Sequence, residues 1–121
     1  MMIGVRARPV SRLRGVAGRT GLVFLMAAAV GFAIPTVAAT THTVAMDGTR
    51  FVPETLTVKR GDRVVWVNKD PFPHTATAAG TFDSKSIAAG RSWSYVAHKP
   101  GEFAYVCTLH PGMKGTLIVE Q

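Results

Sequence analysis

The stretch FVPETLTVKRGDRVVWVN, residues 51–68, contains the clearest β pattern in this 121-residue chain. Within it, Leu56–Val58 alternates apolar and polar side chains, as a half-buried strand does. Arg60-Gly61-Asp62 predicts a turn, and the almost continuously apolar segment Arg63–Asn68 predicts a strand that is buried on both faces or nearly so. The strand ends before Asp70-Pro71-Phe72-Pro73, because proline cannot donate to a strand ladder.

Other short segments on both sides of this stretch also have β-type patterns, and none has a sustained helical period. They are separated by Gly, Pro and Asp, which favour turns. Six or seven short strands at a spacing of about 8 to 12 residues predict an all-β protein, an antiparallel β-sandwich. The further predicted strands are Thr41–Met46, Ser92–Ala97, Glu102–Cys107 and Gly115–Glu120.

The N-terminal segment has the three parts of a secretory signal. Its first nineteen residues contain five arginines and no acidic residue, and an apolar run follows at 21–33. After Pro35, the small residues Val37-Ala38-Ala39 predict cleavage after Ala39. We therefore expect residues 1–39 to be a cleaved Sec-type signal and residues 40–121 to be the exported, periplasmic domain. A retained membrane anchor is the alternative, but the strongly apolar run is too short to span a bilayer comfortably.

The charge of the exported part argues against nucleic-acid binding. The formal net charge of the whole chain is +7, but after position 39 nine basic residues face seven acidic ones, so the net charge falls to +2. No cluster of Lys and Arg remains to neutralise a run of phosphates. A domain of this size has a marginal core, which a metal or a disulfide would help to stabilise. The single cysteine excludes an intramolecular disulfide.

Four residues predict a metal site: His74, Cys107, His110 and Met113. Each alone would be unremarkable as a core or loop residue. Together they offer a thiolate, two imidazoles and a thioether, the trigonal His₂Cys set with a weak axial Met of blue-copper sites. Zinc is the rival metal, but a thioether is a poor fourth ligand for it. We expect one copper ion bound at this site.

The two remaining histidines have no such context. His42 lies near the predicted mature N-terminus, and His98 precedes a Lys-Pro-Gly turn. Both are expected to face solvent.

The chain resembles the cupredoxin family of type 1 copper proteins over about residues 41–121. The pattern F-x-P-x-x-L-x-V-x-x-G-D-x-V-x-W-x-N at 51–68, Tyr105 and the C-x2-H-x2-M spacing carry the resemblance. It implies a cupredoxin-like Greek-key β-sandwich with His74, Cys107 and His110 as equatorial ligands and Met113 as the axial one. Two residues separate His110 from Met113, which is most similar to amicyanin; plastocyanin and pseudoazurin have four.

Two positions depart from the family pattern. Amicyanin-type loops have proline where this chain has Leu109, whose backbone N–H is hypothesised to donate to the Cys107 sulfur. Many members have asparagine where this chain has Thr75. Either Thr75 supplies the hydrogen bond between the two loops that asparagine makes, or that bond is missing.

The resemblance implies an electron carrier, and we expect it to be a monomer, not an enzyme, and not bound to membranes after signal cleavage. Redox proteins such as a dehydrogenase or a c-type cytochrome would dock at an apolar patch near His110. A copper-binding or delivery protein without an electron-transfer role is the alternative. Catalysis needs an open coordination position or further ligands, and four histidines with one cysteine leave too few. The candidate patch residues are Phe72, Pro73, Leu109, Pro111 and Met46.

Overall fold

A computed structural model of the protein describes residues 21–121 and, before them, only positions 4, 11, 15 and 18. The arginine-rich part of the predicted signal therefore lies outside the described residues. Residues 21–40 have no regular secondary structure and are exposed. In the described part of the chain, no helix is long and apolar enough to cross a membrane. The chain divides into two units at Ile34 and Pro35, and all the strands belong to the second.

Nine strands build the second unit. The sequence patterns predicted the longer ones to within one or two residues at each end, whereas β2, β5 and β6 are two-residue strands without a pattern of their own. The strands are β1 Thr41–Met46, β2 Phe51–Val52, β3 Thr55–Lys59, β4 Arg63–Asn68, β5 Thr77–Ala78, β6 Phe82–Asp83, β7 Ser92–Val96, β8 Gly101–Val106 and β9 Lys114–Glu120.

The strands form two sheets, which confirms the all-β sandwich. One sheet has the order β2-β1-β4-β7 and the other the order β3-β9-β8-β5-β6. The prediction that the strands are antiparallel is wrong for two pairs, since β1–β4 and β3–β9 are parallel. Parallel neighbours need a long crossover connection, and here the chain passes through strands of both sheets before it returns. The other ladders are antiparallel.

The core lies between the sheets and is centred on Trp66 of β4. Its ring centroid lies 5.3 Å from that of Phe82, 5.5 Å from that of Tyr105 and 5.6 Å from that of Trp93. The strand β4 is not buried on both faces: Val64 and Trp66 are fully buried, but the alternate valines are only half-buried. The inward face of β4 therefore anchors this sheet, and its C-terminal end leads into the loop that carries His74.

A close approach between β8 and β9 depends on Gly115. The ring of Tyr105 lies over this residue, and a Cβ added there would stand 2.5 Å from Tyr105 Cζ. Real Cβ atoms do not approach another atom so closely, so only glycine leaves room for the ring. Since Tyr105 is two residues before Cys107, this contact helps to position the strand that ends at the cysteine.

Candidate metal centre

The loop with three of the predicted ligands closes the β8–β9 hairpin. The last pair of this ladder joins Val106 to Lys114, which leaves residues 107–113 as the connection. The amide of Cys107 donates to the carbonyl of Met113 at 3.0 Å, and the amide of Met113 donates to the carbonyl of His110 at 3.2 Å. These bonds fold the loop back on itself, so that its two ends lie side by side.

His74 is held from a different loop. It is fully buried, and its backbone forms a two-way bridge with Ile87, with N–O distances of 3.1 and 2.7 Å. The side chain of Asn68 braces the same loop by donating to the carbonyls of Phe72 and Ile87, at 2.8 and 3.0 Å. The imidazole therefore sits on a backbone that is tied at both ends of the loop.

The structure brings His74, Cys107 and His110 together. The Nδ1 atoms of the two histidines are 3.1 Å apart, and Cys107 Sγ lies 3.7 Å from the first and 3.6 Å from the second. Ligands that surround one ion at about 2.0 to 2.3 Å, with angles of about 100° to 120°, have mutual separations of about 3 to 3.8 Å. The three donor atoms thus fit a single metal ion.

Met113 lies at the end of the same loop. Its side chain is buried, and its backbone is bonded to both Cys107 and His110 as described above. Its role as the axial ligand remains a prediction.

Asp70 is a residue of this centre that the sequence pattern indicated only as part of a turn. Its Oδ2 lies 2.7 Å from His74 Nε2 and also accepts the amide of Thr49, while its Oδ1 accepts the amide of Gly48. The N–H of Thr49, followed by the hydrogen bond from His74, lowers the pKa of Asp70. An ionised carboxylate accepts a hydrogen bond from the Nε2–H group of His74, so the Nδ1 lone pair of His74 faces the other donors. The one feature of the sequence that could have indicated this contact is the position of Asp70, four residues before the predicted ligand His74.

Thr75 joins the two loops of the centre. Its hydroxyl oxygen accepts the amide of Thr108 at 2.9 Å and lies 3.2 Å from the hydroxyl of that residue. Its own amide donates to Cys107 Sγ at 3.3 Å. The hydrogen bond between the two loops is therefore not missing, and Thr75 supplies it, which was the first of the two alternatives for this position.

The hypothesis for Leu109 is not supported. Among the described residues, Thr75 is the one backbone donor to the Cys107 sulfur, and Leu109 makes no such bond. Its side chain is instead about half exposed.

Four of the five candidate patch residues are exposed, and Met46 is not. These four residues, Phe72, Pro73, Leu109 and Pro111, are called the docking patch below, since docking there is proposed for them. The Phe72 ring centroid lies 5.3 Å from that of His110. Met46 is fully buried in the core, so its inclusion was wrong. It occupies the inward face of β1, where alternate side chains pack between the sheets.

The remaining histidines differ from each other. His98 is exposed, as predicted. His42 is only 26% exposed in its side chain, and its Nε2 lies 2.9 Å from Asp62 Oδ2, so the expectation that it faces solvent was wrong.

Two imidazoles and one thiolate at the loop end of a β-sandwich define a protein that binds a soft or borderline metal. A structural zinc site would have a fourth Cys or His, whereas the remaining sulfur nearby is the thioether of Met113. Sulfur with imidazole donors and a thioether suits copper, which also has the highest affinity among the divalent first-row metals. The fold and the donor set thus describe a copper-binding β-sandwich.

Comparison with known proteins identifies the family. The sequence profile of the Cupredoxin-like domain matches residues 21–119, and the chain belongs to this family, whose members bind one copper ion. Amicyanin of Paracoccus versutus is 27% identical, over 64% of this chain and 63% of its own length. The chloroplastic plastocyanin of Chlamydomonas reinhardtii is 31% identical, over 93% of this chain and 90% of its own. The chain spans about six tenths of the length of the amicyanin relatives first matched.

Solved structures agree with this assignment. The Cu(I) form of a single-residue mutant of amicyanin superposes with a TM-score of 0.64 at 27% identity, over 69% of this chain and 86% of that one. The copper-containing nitrite reductase of Thermus scotoductus also has a TM-score of 0.64, at 28% identity, over 76% of this chain and 25% of the enzyme.

Proposed function

We propose that the protein is a small type 1 blue copper carrier, which passes single electrons between redox partners by cycling one ion between Cu(II) and Cu(I). The ligands would be His74, Cys107 and His110, with Met113 as the axial one. The convergence of the first three donors within 3.1 to 3.7 Å of one another is the observation that carries this proposal. The similarity to amicyanin and plastocyanin supports it.

The residues around the centre suit a carrier because both loops are held in place. Asp70 orients the ring of His74, Thr75 ties the two loops together, and the amide of Thr75 donates to the sulfur. When bound, copper supplies the one-electron couple. Ligands that are fixed by such bonds move little when the charge at the centre changes, so little energy is needed for reorganisation.

His110 connects the centre to the surface. The residue is half-buried, its chain neighbours Leu109 and Pro111 are exposed, and the ring of Phe72 lies 5.3 Å from its own. A partner that covers this patch would approach within one imidazole ring of the metal. Weak redox encounters use interfaces below about 1,200 Å², and a small apolar patch suits such a transient contact.

The proposed setting is the periplasm, after Sec-type export and cleavage behind Ala39. A dehydrogenase or a c-type cytochrome is the proposed type of partner, and the carrier itself is proposed to be a monomer and not an enzyme. The nitrite reductase is about four times as long as the matched region. A cupredoxin fold in that enzyme is therefore one part of a larger catalytic protein, whereas this chain offers four histidines and one cysteine in all.

The test is the addition of Cu(II) to the purified protein. We expect an intense blue absorption band from charge transfer between thiolate and copper. The variant Cys107→Ser should lose the band, and the control His98→Ala, which removes an exposed histidine outside the centre, should keep it. A wild-type protein that binds Cu(II) without any blue band would contradict the proposal.

A second measurement separates electron transfer from copper delivery. A carrier should show reversible one-electron voltammetry and keep its copper when it is mixed with a copper-free acceptor. A delivery protein should instead lose its copper to the acceptor. Rapid and complete transfer of copper would favour the alternative that the sequence left open.

The docking patch can be tested without knowing the partner. Self-exchange of electrons between oxidised and reduced copies needs two patches to meet, so Leu109→Lys should slow it roughly tenfold by placing like charges in contact. Val96→Lys is the matched control, since Val96 is a similarly exposed apolar residue that pairs with Arg63 at the other end of β4. An equal effect of both variants would contradict the role of the patch.

A further inference from the structure

The carboxylate of Asp62 lies just before β4, at the end of this strand that is remote from His74, and several nitrogen atoms contact it. The backbone nitrogen of Thr40 donates to Asp62 Oδ1 at 2.9 Å, and His42 Nε2 lies 2.9 Å from Asp62 Oδ2. The amide of Lys59 also donates to Oδ2, at 3.0 Å. Asp62 is 7% exposed, while the His42 side chain remains 26% exposed. A half-buried imidazole and a backbone nitrogen thus converge on the two oxygens of one carboxylate.

Signal cleavage would change the chemistry of this cluster. The inference rests on the proposed cut behind Ala39, which converts the amide nitrogen of Thr40 into a free α-amine. An amide nitrogen has no lone pair to offer a metal, whereas a deprotonated amine does. We propose that the processed protein binds a second metal ion, Cu(II), through the α-amine of Thr40, the imidazole of His42 and the carboxylate of Asp62.

Each nitrogen lies at a ligand-to-ligand distance from one of the two Asp62 oxygens. Two ligands about 2.0 to 2.1 Å from a metal and at right angles to each other are about 2.9 Å apart. Both nitrogens lie at this distance from an Asp62 oxygen. An ion held by both oxygens of Asp62 would therefore take the place of the protons that now lie between the carboxylate and each nitrogen.

The donor types favour Cu(II) in particular. Nitrogen and oxygen donors suit Cu(II), and without a sulfur ligand they do not favour Cu(I). A metal-binding carboxyl group must be ionised. The N–H groups of Thr40 and Lys59, together with His42, lower the pKa of Asp62 to about 2, so it is ionised at neutral pH.

The surroundings of Asp62 allow access after processing. Residues 37–39 line a cavity beside Asp62, together with Lys59 and Arg60. Removal of these residues with the signal would open that side to solvent. Glu120 lines a second cavity on the side of His42. Its negative charge partly offsets the positive charges of Lys59 and Arg60. Such a site would form only after the signal has been removed.

The experiment uses the full-length chain, exported and processed in cells, and loaded with one copper ion. Its N-terminal residue is first identified by mass spectrometry. Cu(II) is then titrated by calorimetry and electron paramagnetic resonance. We expect one additional Cu(II) per chain, with a spectrum of nitrogen and oxygen ligands and an unchanged blue band.

Variants locate the site. His42→Ala and Asp62→Asn should each weaken the second binding event by about tenfold or more, since each removes a ligand. Insertion of Gly-Ser behind Ala39 should have the same effect, because the free amine is then two residues away. His98→Ala is the matched control and should bind the second ion normally. Far-ultraviolet circular dichroism, which does not depend on the blue centre, shows whether each variant is folded.

Several outcomes would overturn this inference. A mature N-terminus other than Thr40 removes the required amine. Equal binding of the second ion by the wild type and His42→Ala places that ion elsewhere. A four-nitrogen spectrum that is insensitive to Asp62→Asn also contradicts the three-donor site. None of these results depends on the blue band, so the proposed electron carrier and the second site can fail separately.

Discussion

At the residue scale, His74 shows how one side chain acquires a defined role from several contacts. Burial excludes water from its ring, Asp70 accepts a hydrogen bond from its Nε2–H group, and its Nδ1 atom faces Cys107 and His110. A histidine without these contacts could adopt either tautomer and several rotamers. The carboxylate therefore orients the imidazole toward the other donors before any metal is present.

Asp70→Asn should weaken copper binding by about 10- to 100-fold. Asparagine has one acceptor oxygen for the three N–H groups that now bond to Asp70, so at least one buried donor loses its partner. Competition with a chelator of known affinity measures the effect. Asp47→Asn, which removes an exposed carboxylate three residues before Arg50, is the control. Equal copper affinity in both variants would show that Asp70 does not orient His74.

Thr75→Val should destabilise the protein by about 1 kcal/mol, because the amide of Thr108 loses its acceptor. The two side chains have nearly the same shape, so packing changes little. Urea unfolding of the metal-free protein measures the loss, and Thr75→Ser should recover most of it because it retains the hydroxyl. If serine is as unstable as valine, the hydrogen bond between the loops is not the cause.

At the element scale, the β8–β9 hairpin determines the shape of the centre. Its register sets the length of the connection between Val106 and Lys114, and the bonds between Cys107 and Met113 close it. His74 arrives from another loop, which is attached to β4 and bridged to Ile87. The centre therefore forms only when both sheets have assembled, and neither loop is sufficient alone.

Gly115→Ala should destabilise the hairpin by about 1 to 3 kcal/mol. The added methyl group would lie 2.5 Å from Tyr105 Cζ and 3.0 Å from the carbonyl oxygen of Glu54, so the ring or the strand must move. Urea denaturation measures the change. Glu120→Ala, at an exposed position of the same strand, should have an effect within about 0.5 kcal/mol. An equally small effect of Gly115→Ala would mean that Tyr105 moves without cost.

At the scale of the whole molecule, two polar clusters lie at opposite ends of β4. Asp70 lies just past its C-terminal end and binds His74, while Asp62 precedes its first residue and binds Thr40 and His42. Each carboxylate connects strands or loops that are far apart in sequence. The sandwich is therefore tied at both ends by ionised carboxylates, and its stability should depend on pH.

The metal-free protein should lose stability as the pH falls from about 4 to about 2. The pKa of Asp62 is lowered in the folded state from 3.8 to about 2, so its contribution is complete above about pH 4 and lost on further acidification. The urea midpoint, measured at several pH values, should fall in this range. Asp62→Asn should fall less steeply than the wild type, and Glu102→Gln, an exposed control on β8, should not differ from it. Parallel curves for Asp62→Asn and wild type would contradict this assignment.

The sequence was informative wherever a local pattern carries the signal. Alternation along Thr41–Met46 and the almost continuous apolar run over Arg63–Asn68 both predicted strands. Both patterns are compatible with either strand direction, so they could not reveal that these two strands are parallel. Nor does alternation tell which face is covered, which is why Met46 was assigned to the surface although it is fully buried.

The sequence alone was enough to select the candidate ligands. Cys107, His110 and Met113 follow one another at intervals of three residues, and together with His74 they offer soft or borderline donor atoms. Their ligand roles remain predictions, but three of the donor atoms do converge. The contacts of Asp70 with His74, of Thr75 with Thr108 and of Asp62 with His42 emerged only from the folded molecule. Local composition decides which atoms are available, whereas long-range packing decides which of them meet, and a pairing between residues far apart in the chain leaves no periodic trace in the sequence.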